Sequence, residues 1–329
     1  MSTATHPTVS FELFPPRRPE LDEEVWRRVL CMAGAGPDFF SVTYGASGSS
    51  RAASAELVRR LLRHTDVPPI AHLTCVGATR EELAERVRAL FAAGVRDFLA
   101  LRGDPPRGEA TWRAPEGGLS RSSQLVALIR QVEAEVLGPP GDPRRQAGHP
   151  SIVALDLGIS PADVVSVAVA AYPSGLSHTR RDELAALREK QDAGADFAIT
   201  QVFYDAEAYA SLVADARAGG VHIPVLPGIL PLTDRRRLHR LEELSAVPVP
   251  VTLDALLDVE DEHERLRRGI DATLALIDRV LAVGAPGLHL YTFNQDRPAL
   301  DVLEHLRARG IRNPALMTRP AVPGPVPAT

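Results

Sequence analysis

Cysteine is scarce in this chain. Cys31 and Cys75 are the two among 329 residues, and neither belongs to a CxxC pair or to a cluster with metal-ligand spacing, so a disulfide framework and a structural zinc are both disfavoured. A reducing cytoplasm is the expected compartment. Excess positive charge is also missing: the formal net charge is −5, which offers no basic surface to nucleic acid or acidic lipid. No apolar run approaches the roughly 18 residues of a membrane span. The opening MSTATHPTVSFELF has neither a basic n-region nor an apolar h-region. A soluble, unexported protein with no nucleic-acid or membrane partner is expected.

Several chemical signatures are absent as well. There is no G-x-x-x-x-G-K-[ST] loop, no HExxH, no Ser-His-Asp arrangement and no Asp or His cluster with metal spacing. The strands contain no lysine that could form a Schiff base, which weakens aldolase-like chemistry.

What is present is an alternation. Short apolar segments at 9–17, 39–48, 70–75, 97–104, 166–173, 197–205, 222–231 and 287–295 read as eight strands. Amphipathic helical sequence lies between them at about 20–34, 51–64, 79–93, 120–136, 181–193, 205–218 and 233–245. In TREELAERVRALFAA, Thr79 and Glu82 have capping-box spacing and Gly94 follows as a stop. Near-continuous apolar strands, each followed by a helix, predict an α/β fold: a single-domain (β/α)8 TIM barrel over residues 1–312. A doubly wound open sheet is the alternative, but the G-x-G-x-x-G turn that usually marks one is missing. Two segments interrupt the rhythm, a Pro/Gly-rich insertion near 137–163 and added helical sequence near 251–283. The Pro-rich 313–329 reads as a disordered tail. With the chain ending soon after the barrel, no appended regulatory domain is expected.

In a barrel of this kind the strand ends and the loops after them build the site. Polar residues collect there: Glu12, Thr43, Tyr44, His72, Arg102, Asp104, Tyr172 and Gln201. Each has a structural alternative. His72 could be a core histidine, Thr43 an ordinary strand former, and the tyrosines packing residues with a wet hydroxyl. Glu12 and Gln201 resist that reading, because an unpartnered polar group inside an apolar strand costs roughly 2–7 kcal/mol. One carboxyl in an apolar setting, a carboxylate beside an arginine, two tyrosines and an amide make a pocket that can bind a large planar cofactor and deliver one proton.

SFELFPPR, FFSVTYGASGSSR, AHLTC, ALRGDPP, VAAYP, DAGADFAITQVFYD, PGILP and GLHLYTFN stand in this order between residues 9 and 312. Together they resemble the motif series of the methylenetetrahydrofolate reductase family. The resemblance implies a barrel that holds FAD at the C-terminal ends of its strands, serving methionine biosynthesis. NADH or NADPH reduces the flavin and leaves, and 5,10-methylenetetrahydrofolate then occupies the same site and becomes 5-methyltetrahydrofolate, a ping-pong sequence. By the same resemblance Glu12 is the general acid, Asp104 contacts flavin and pterin, and Gln201 contacts nicotinamide and folate. Thr43, Tyr44, Ala46, His72, Arg102, Gly103, Asp104 and Tyr172 match flavin-site positions, and His178, Glu183 and Lys190 match positions at the adenosine end. Gln295 stands where many members carry a folate-contacting arginine. A homo-oligomer is expected. Two other readings keep the barrel: a non-catalytic or assembly subunit of a one-carbon complex, and a reductase of another reduced pterin.

Overall fold

A computed structural model describes residues 7–16, 18–44, 48–104, 113–139, 142, 165–174 and 179–309. Ala46, His178, most of the 137–163 insertion and the tail from 310 lie outside the described residues. The strands are β1 (Thr8–Leu13), β2 (Phe39–Val42), β3 (Pro69–Thr74), β4 (Asp97–Leu101), β5 (Ser166–Ala171), β6 (Phe197–Thr200), β7 (Val225–Leu226), β8 (Gly228–Ile229) and β9 (Gly287–Tyr291). The helices are α1 (Asp22–Gly34), α2 (Gly48–His64), α3 (Arg80–Ala92), α4 (Ser122–Leu137), α5 (Arg180–Asp192), α6 (Ala206–Ala218), α7 (Arg235–Ser245), α8 (Val251–Leu257), α9 (Glu262–Ala282) and α10 (Asp296–Ala308). No helix among the described residues is long and apolar enough to cross a membrane.

All strand pairs are parallel, in the order β7-β6-β5-β4-β3-β2-β1-β9-β8. β7 and β8 are two halves of one barrel strand broken at Pro227. The first half pairs with β6 and the second with β9, so the sheet nearly closes into the expected (β/α)8 barrel. The stretch 222–231 therefore contributes two short strands rather than one continuous run, because proline has no N–H for the ladder. The 251–283 segment forms α8 and α9.

The apolar strands divide their side chains between two layers. Phe39, Ile70, Leu99, Ala168, Phe197, Ile199 and Leu226 form one buried cluster. The alternate residues, such as Phe11, Phe40, Ala71, Phe98, Val167 and Ala198, pack with the helices in the larger core. Helix α3 shows how locally the helices are set. Glu82 N donates to Thr79 Oγ1 at 3.2 Å and Thr79 N donates to Glu82 Oε2 at 2.8 Å, which completes the capping box. Leu83, Val87 and Phe91 then bury one face of the helix.

The N-terminal ends of the strands are stitched by carboxylates. Asp38 accepts from Val9 N at 2.6 Å, Asp196 accepts from Val167 N at 2.6 Å, and Asp97 accepts from Ser166 Oγ at 2.6 Å. Arg130 of α4 binds Asp196 at 2.5 Å and Glu133 at 2.7 Å and also donates to the Gly194 and Val165 carbonyls. Val165 directly precedes β5, and Gly194 and Asp196 precede β6, so Arg130 ties the entry to β5 to the start of β6.

Candidate active site

A cavity of about 940 Å³ opens at the C-terminal ends of the strands. Glu12, Thr43, Tyr44, His72, Arg102, Gly103, Asp104, Tyr172, Glu183, Lys190 and Gln201 all line it. The structure thus brings together residues drawn from seven separate sequence segments. Gln295 does not line the cavity. The chain turns just before it, with Phe293 and Asn294 in the left-handed region at φ 48° and 57°. Gln295 N closes that turn on the Thr292 carbonyl at 2.8 Å, and the residue stands at the N-cap position of α10 without a side-chain capping bond.

Glu12 lies near the end of β1, paired in register with Ser41 of β2 and Tyr291 of β9. Burial raises its carboxyl from 4.5 to about 7, with the nearby Thr43 hydroxyl working in the opposite direction. A carboxyl surrounded by apolar strand walls loses the solvation its anion needs, so the proton stays on near neutral pH. His72, in β3, is buried and is pushed down by desolvation to about 3. It is therefore neutral, and its Nε2 has no hydrogen-bond partner. Thr43 Oγ1 likewise completes no hydrogen bond of good geometry. Neither of these two buried polar atoms of one cavity wall has a full hydrogen-bond partner among the described residues, which is uncommon inside a folded protein.

On the opposite flank the polar groups are satisfied. Glu183 is buried and accepts from Tyr172 N at 3.1 Å, while Lys190 is buried and donates to the Ala170 carbonyl at 2.8 Å. Lys190 Nζ also stands 5.8 Å from the centre of the Tyr172 ring. Both therefore anchor α5 to the end of β5 as well as lining the cavity. The Tyr172 hydroxyl is raised to about 12, by burial first and then by the charges of Glu183 and Asp104. Arg102 and Asp104 are exposed at the rim. Between them Gly103 adopts φ +85°, and a Cβ there would lie 2.5 Å from Val76 Cγ2, so the turn demands glycine. Gln201 follows β6, and its Oε1 accepts from Val202 N at 2.8 Å.

Residues that sequence reasoning did not assign complete the wall: His289, Tyr291, Phe14 and Phe293. His289 is buried, with Nδ1 2.8 Å from Ser10 Oγ and Nε2 3.2 Å from Ser41 Oγ. Ser10 Oγ donates to the Leu288 carbonyl at 3.1 Å, so it accepts from Nδ1–H and leaves Nε2 to accept from Ser41. Burial and neighbouring His72 lower His289 to about 3, consistent with that neutral tautomer. The signal was available, since alternation in GLHLY places His289 and Tyr291 opposite Leu288 and Leu290. Phe14 and Phe293 stack with ring centres 5.3 Å apart. Asn294 fixes the pair by accepting from Phe14 N at 2.9 Å and donating to its carbonyl at 2.8 Å.

Comparison with known proteins bears on this geometry. The family model for methylenetetrahydrofolate reductase matches residues 1–307. Methylenetetrahydrofolate reductase (NADH) 1 of Zea mays is 32% identical over 315 residues, 94% of this chain and 49% of its own length. The 5,10-methylenetetrahydrofolate reductase of Pectobacterium carotovorum subsp. carotovorum is 30% identical, covering 87% of this chain and 86% of the relative. That of Escherichia coli is 29% identical, covering 92% and 91%. The chain spans about half the length of the plant relatives it matches. A solved structure from Clostridium thermocellum, of a protein that binds two copies of 5-methyl-5,6,7,8-tetrahydrofolic acid, has a TM-score of 0.61 at 14% identity and covers 93% of this chain and 96% of that one, a likeness of fold. The match of residues 1–307 places the chain in the methylenetetrahydrofolate reductase family.

Proposed function

We propose that this chain reduces 5,10-methylenetetrahydrofolate to 5-methyltetrahydrofolate at the expense of NADH or NADPH, with FAD as the resident carrier and the two substrates using the cavity in turn. The observation that carries the reading is Glu12, a carboxyl protonated up to about pH 7 inside a cavity large enough for a planar cofactor and a second ring. The chain's residues fit a flavin. Among the described residues the buried His72 Nε2 has no hydrogen-bond partner, the Thr43 hydroxyl beside Glu12 makes no bond of full geometry, and Tyr172 and Tyr44 add flat walls to the same cavity.

When bound along the wall of His72, Thr43, Tyr44 and Tyr172, FAD would supply two-electron hydride transfer between nicotinamide and folate. The remaining chemistry belongs to the side chains. Glu12 gives its proton to N10 of the folate, the bond from N10 to the methylene carbon breaks, and the electrophilic N5 iminium carbon that results takes the hydride to become the methyl group. One hydride and one proton then account for the methyl product, and the Glu12 carboxylate regains a proton from solvent between turnovers. Gln201 and Asp104 orient the pterin, Asp104 as a charged acceptor at the rim. Arg102, exposed at the rim of the same cavity, would offer a positive charge to an anionic part of the bound cofactor. The name of the maize relative specifies NADH, which makes NADH the first reductant to try.

The test is direct. Purified protein reconstituted with FAD is expected to be yellow, to bleach anaerobically with NADH or NADPH, and to recover its colour with methylenetetrahydrofolate. Protein that stays colourless with excess FAD would overturn the reading. Reduced protein that never recovers its colour with the folate would favour a scaffold or another pterin.

A further inference from the structure

Tyr291 makes a bond that lies outside the regular strand ladder. Its hydroxyl donates to the Thr200 carbonyl at 2.7 Å, reaching from the end of β9 to the end of β6. In the barrel those two strands are separated by the broken strand made of β7 and β8. The register Ala198↔Val225 and Ile199↔Leu226 would bring Gly228 N to the Thr200 carbonyl on the next rung. Instead Gly228 N donates to Thr200 Oγ1 at 2.8 Å, and the carbonyl left over is taken by Tyr291. Gly228 also clears the path. A Cβ there would lie 2.2 Å from the Thr200 carbonyl oxygen, 2.7 Å from Tyr291 Cε2 and 2.8 Å from its hydroxyl.

The peptide unit capped in this way is the one that leads into Gln201. Its oxygen is held by Tyr291 from β9, and its N–H donates to the Ala171 carbonyl of β5 at 2.7 Å. Both ends of the plane are fixed from opposite sides, so the direction in which Gln201 leaves the backbone is fixed as well. On its own strand Tyr291 is the register partner of Glu12, and both residues line the cavity. A single side chain thus spans the interval between the carboxyl and the amide.

We infer that Tyr291 is a positioning residue that aims the Gln201 amide at the ring system Glu12 protonates, by capping the Thr200 carbonyl that Gly228 N leaves when it donates to Thr200 Oγ1 instead. The inference rests on the folate reading of the site. Tyr291 commits its proton to Thr200, so it is not itself a donor to substrate; it acts through Gln201.

The test is a double-mutant cycle on reconstituted holoenzyme, reading both the calorimetric Kd for 5-methyltetrahydrofolate and the rate of flavin reoxidation by methylenetetrahydrofolate. Tyr291→Phe keeps the ring and removes one neutral hydrogen bond, and should weaken binding about 3- to 10-fold with FAD content and Tm unchanged. In a Gln201→Ala background the same substitution should have no further effect on either readout, while in a Glu12→Gln background its effect on Kd should persist in full. An equal effect in the wild-type and Gln201→Ala backgrounds would overturn the positioning role. So would a Tyr291→Phe protein that loses FAD or fails to fold, since the hydroxyl would then be a strut of the barrel. If wild-type holoenzyme neither binds nor is reoxidised by the folates, the functional reading fails separately. The cycle is then read on the Kd for the nicotinamide, where the same disappearance of the Tyr291 effect without Gln201 is expected and its absence counts against the inference.

Discussion

The two ends of this barrel treat polar side chains in opposite ways. At the N-terminal ends of the strands the carboxylates of Asp38, Asp97 and Asp196 each accept a short hydrogen bond from a neighbouring strand, and Arg130 closes a network over Asp196 and Glu133. At the C-terminal ends, among the described residues, no cation stands against the Glu12 carboxyl, His72 Nε2 has no hydrogen-bond partner, and Thr43 Oγ1 makes none of full geometry. One face spends its polar groups on holding strands together; the other keeps them for something that arrives. The division is the one a barrel enzyme needs, because a stable floor tolerates an under-satisfied mouth.

The sharpest way to break that contrast is Glu12→Gln. The amide is nearly isosteric and should fold and bind FAD, and reduction of the flavin by nicotinamide should be almost unaffected. Reoxidation by methylenetetrahydrofolate should fall by about 10²–10⁴-fold, the usual loss when a placed general acid is removed. Stopped-flow absorbance separates the two steps, and wild-type reoxidation in the variant would reduce Glu12 to a wall residue. The reverse result is expected at the floor. Arg130→Ala leaves Asp196 and Glu133 enclosed without their cation and should lower stability by about 2–4 kcal/mol in chemical denaturation, with turnover per folded molecule unchanged. A loss of turnover with stability intact would mean that the two faces are not separate. The smallest effect is expected at His72→Phe. It keeps a flat ring but removes the unpartnered nitrogen, and should weaken FAD binding about 3- to 10-fold in a fluorescence titration. Unchanged affinity would make that nitrogen a core feature with no ligand.

Much of the floor and frame could be read from the chain. The Thr79–Glu82 capping box is a local signal and formed as expected. The alternation of strand and helix identified the barrel because each apolar strand must be buried on both faces. Glu12 stood out for the same reason, as a carboxylate in a strand that otherwise avoids charge. The partners of Glu183 and Lys190 could not be read, because their contacts to Tyr172 N and the Ala170 carbonyl depend on how α5 docks against β5. Tyr291 was missed although its strand was recognised. Its role follows from the shift of the Gly228 N bond to Thr200 Oγ1 and the passage at Gly228, both of which are tertiary facts. Gln295 was placed at the site by resemblance alone, and the left-handed turn at Phe293 and Asn294 leaves it at the start of α10.

The central claim is that the mouth holds one proton at neutral pH on Glu12, and its titration tests that claim most directly. Burial raises this carboxyl to about 7, and in the proposed reaction the protonated form is the active one. The rate of flavin reoxidation by methylenetetrahydrofolate should therefore be level at low pH and fall about tenfold per pH unit once pH exceeds about 7. Flavin reduction by nicotinamide, which takes no proton from Glu12, should not follow that curve. In Glu12→Gln the break in the reoxidation profile should vanish. A reoxidation rate in the wild type that stays constant from about pH 6 to about pH 9, or a break that survives in Glu12→Gln, would contradict the account.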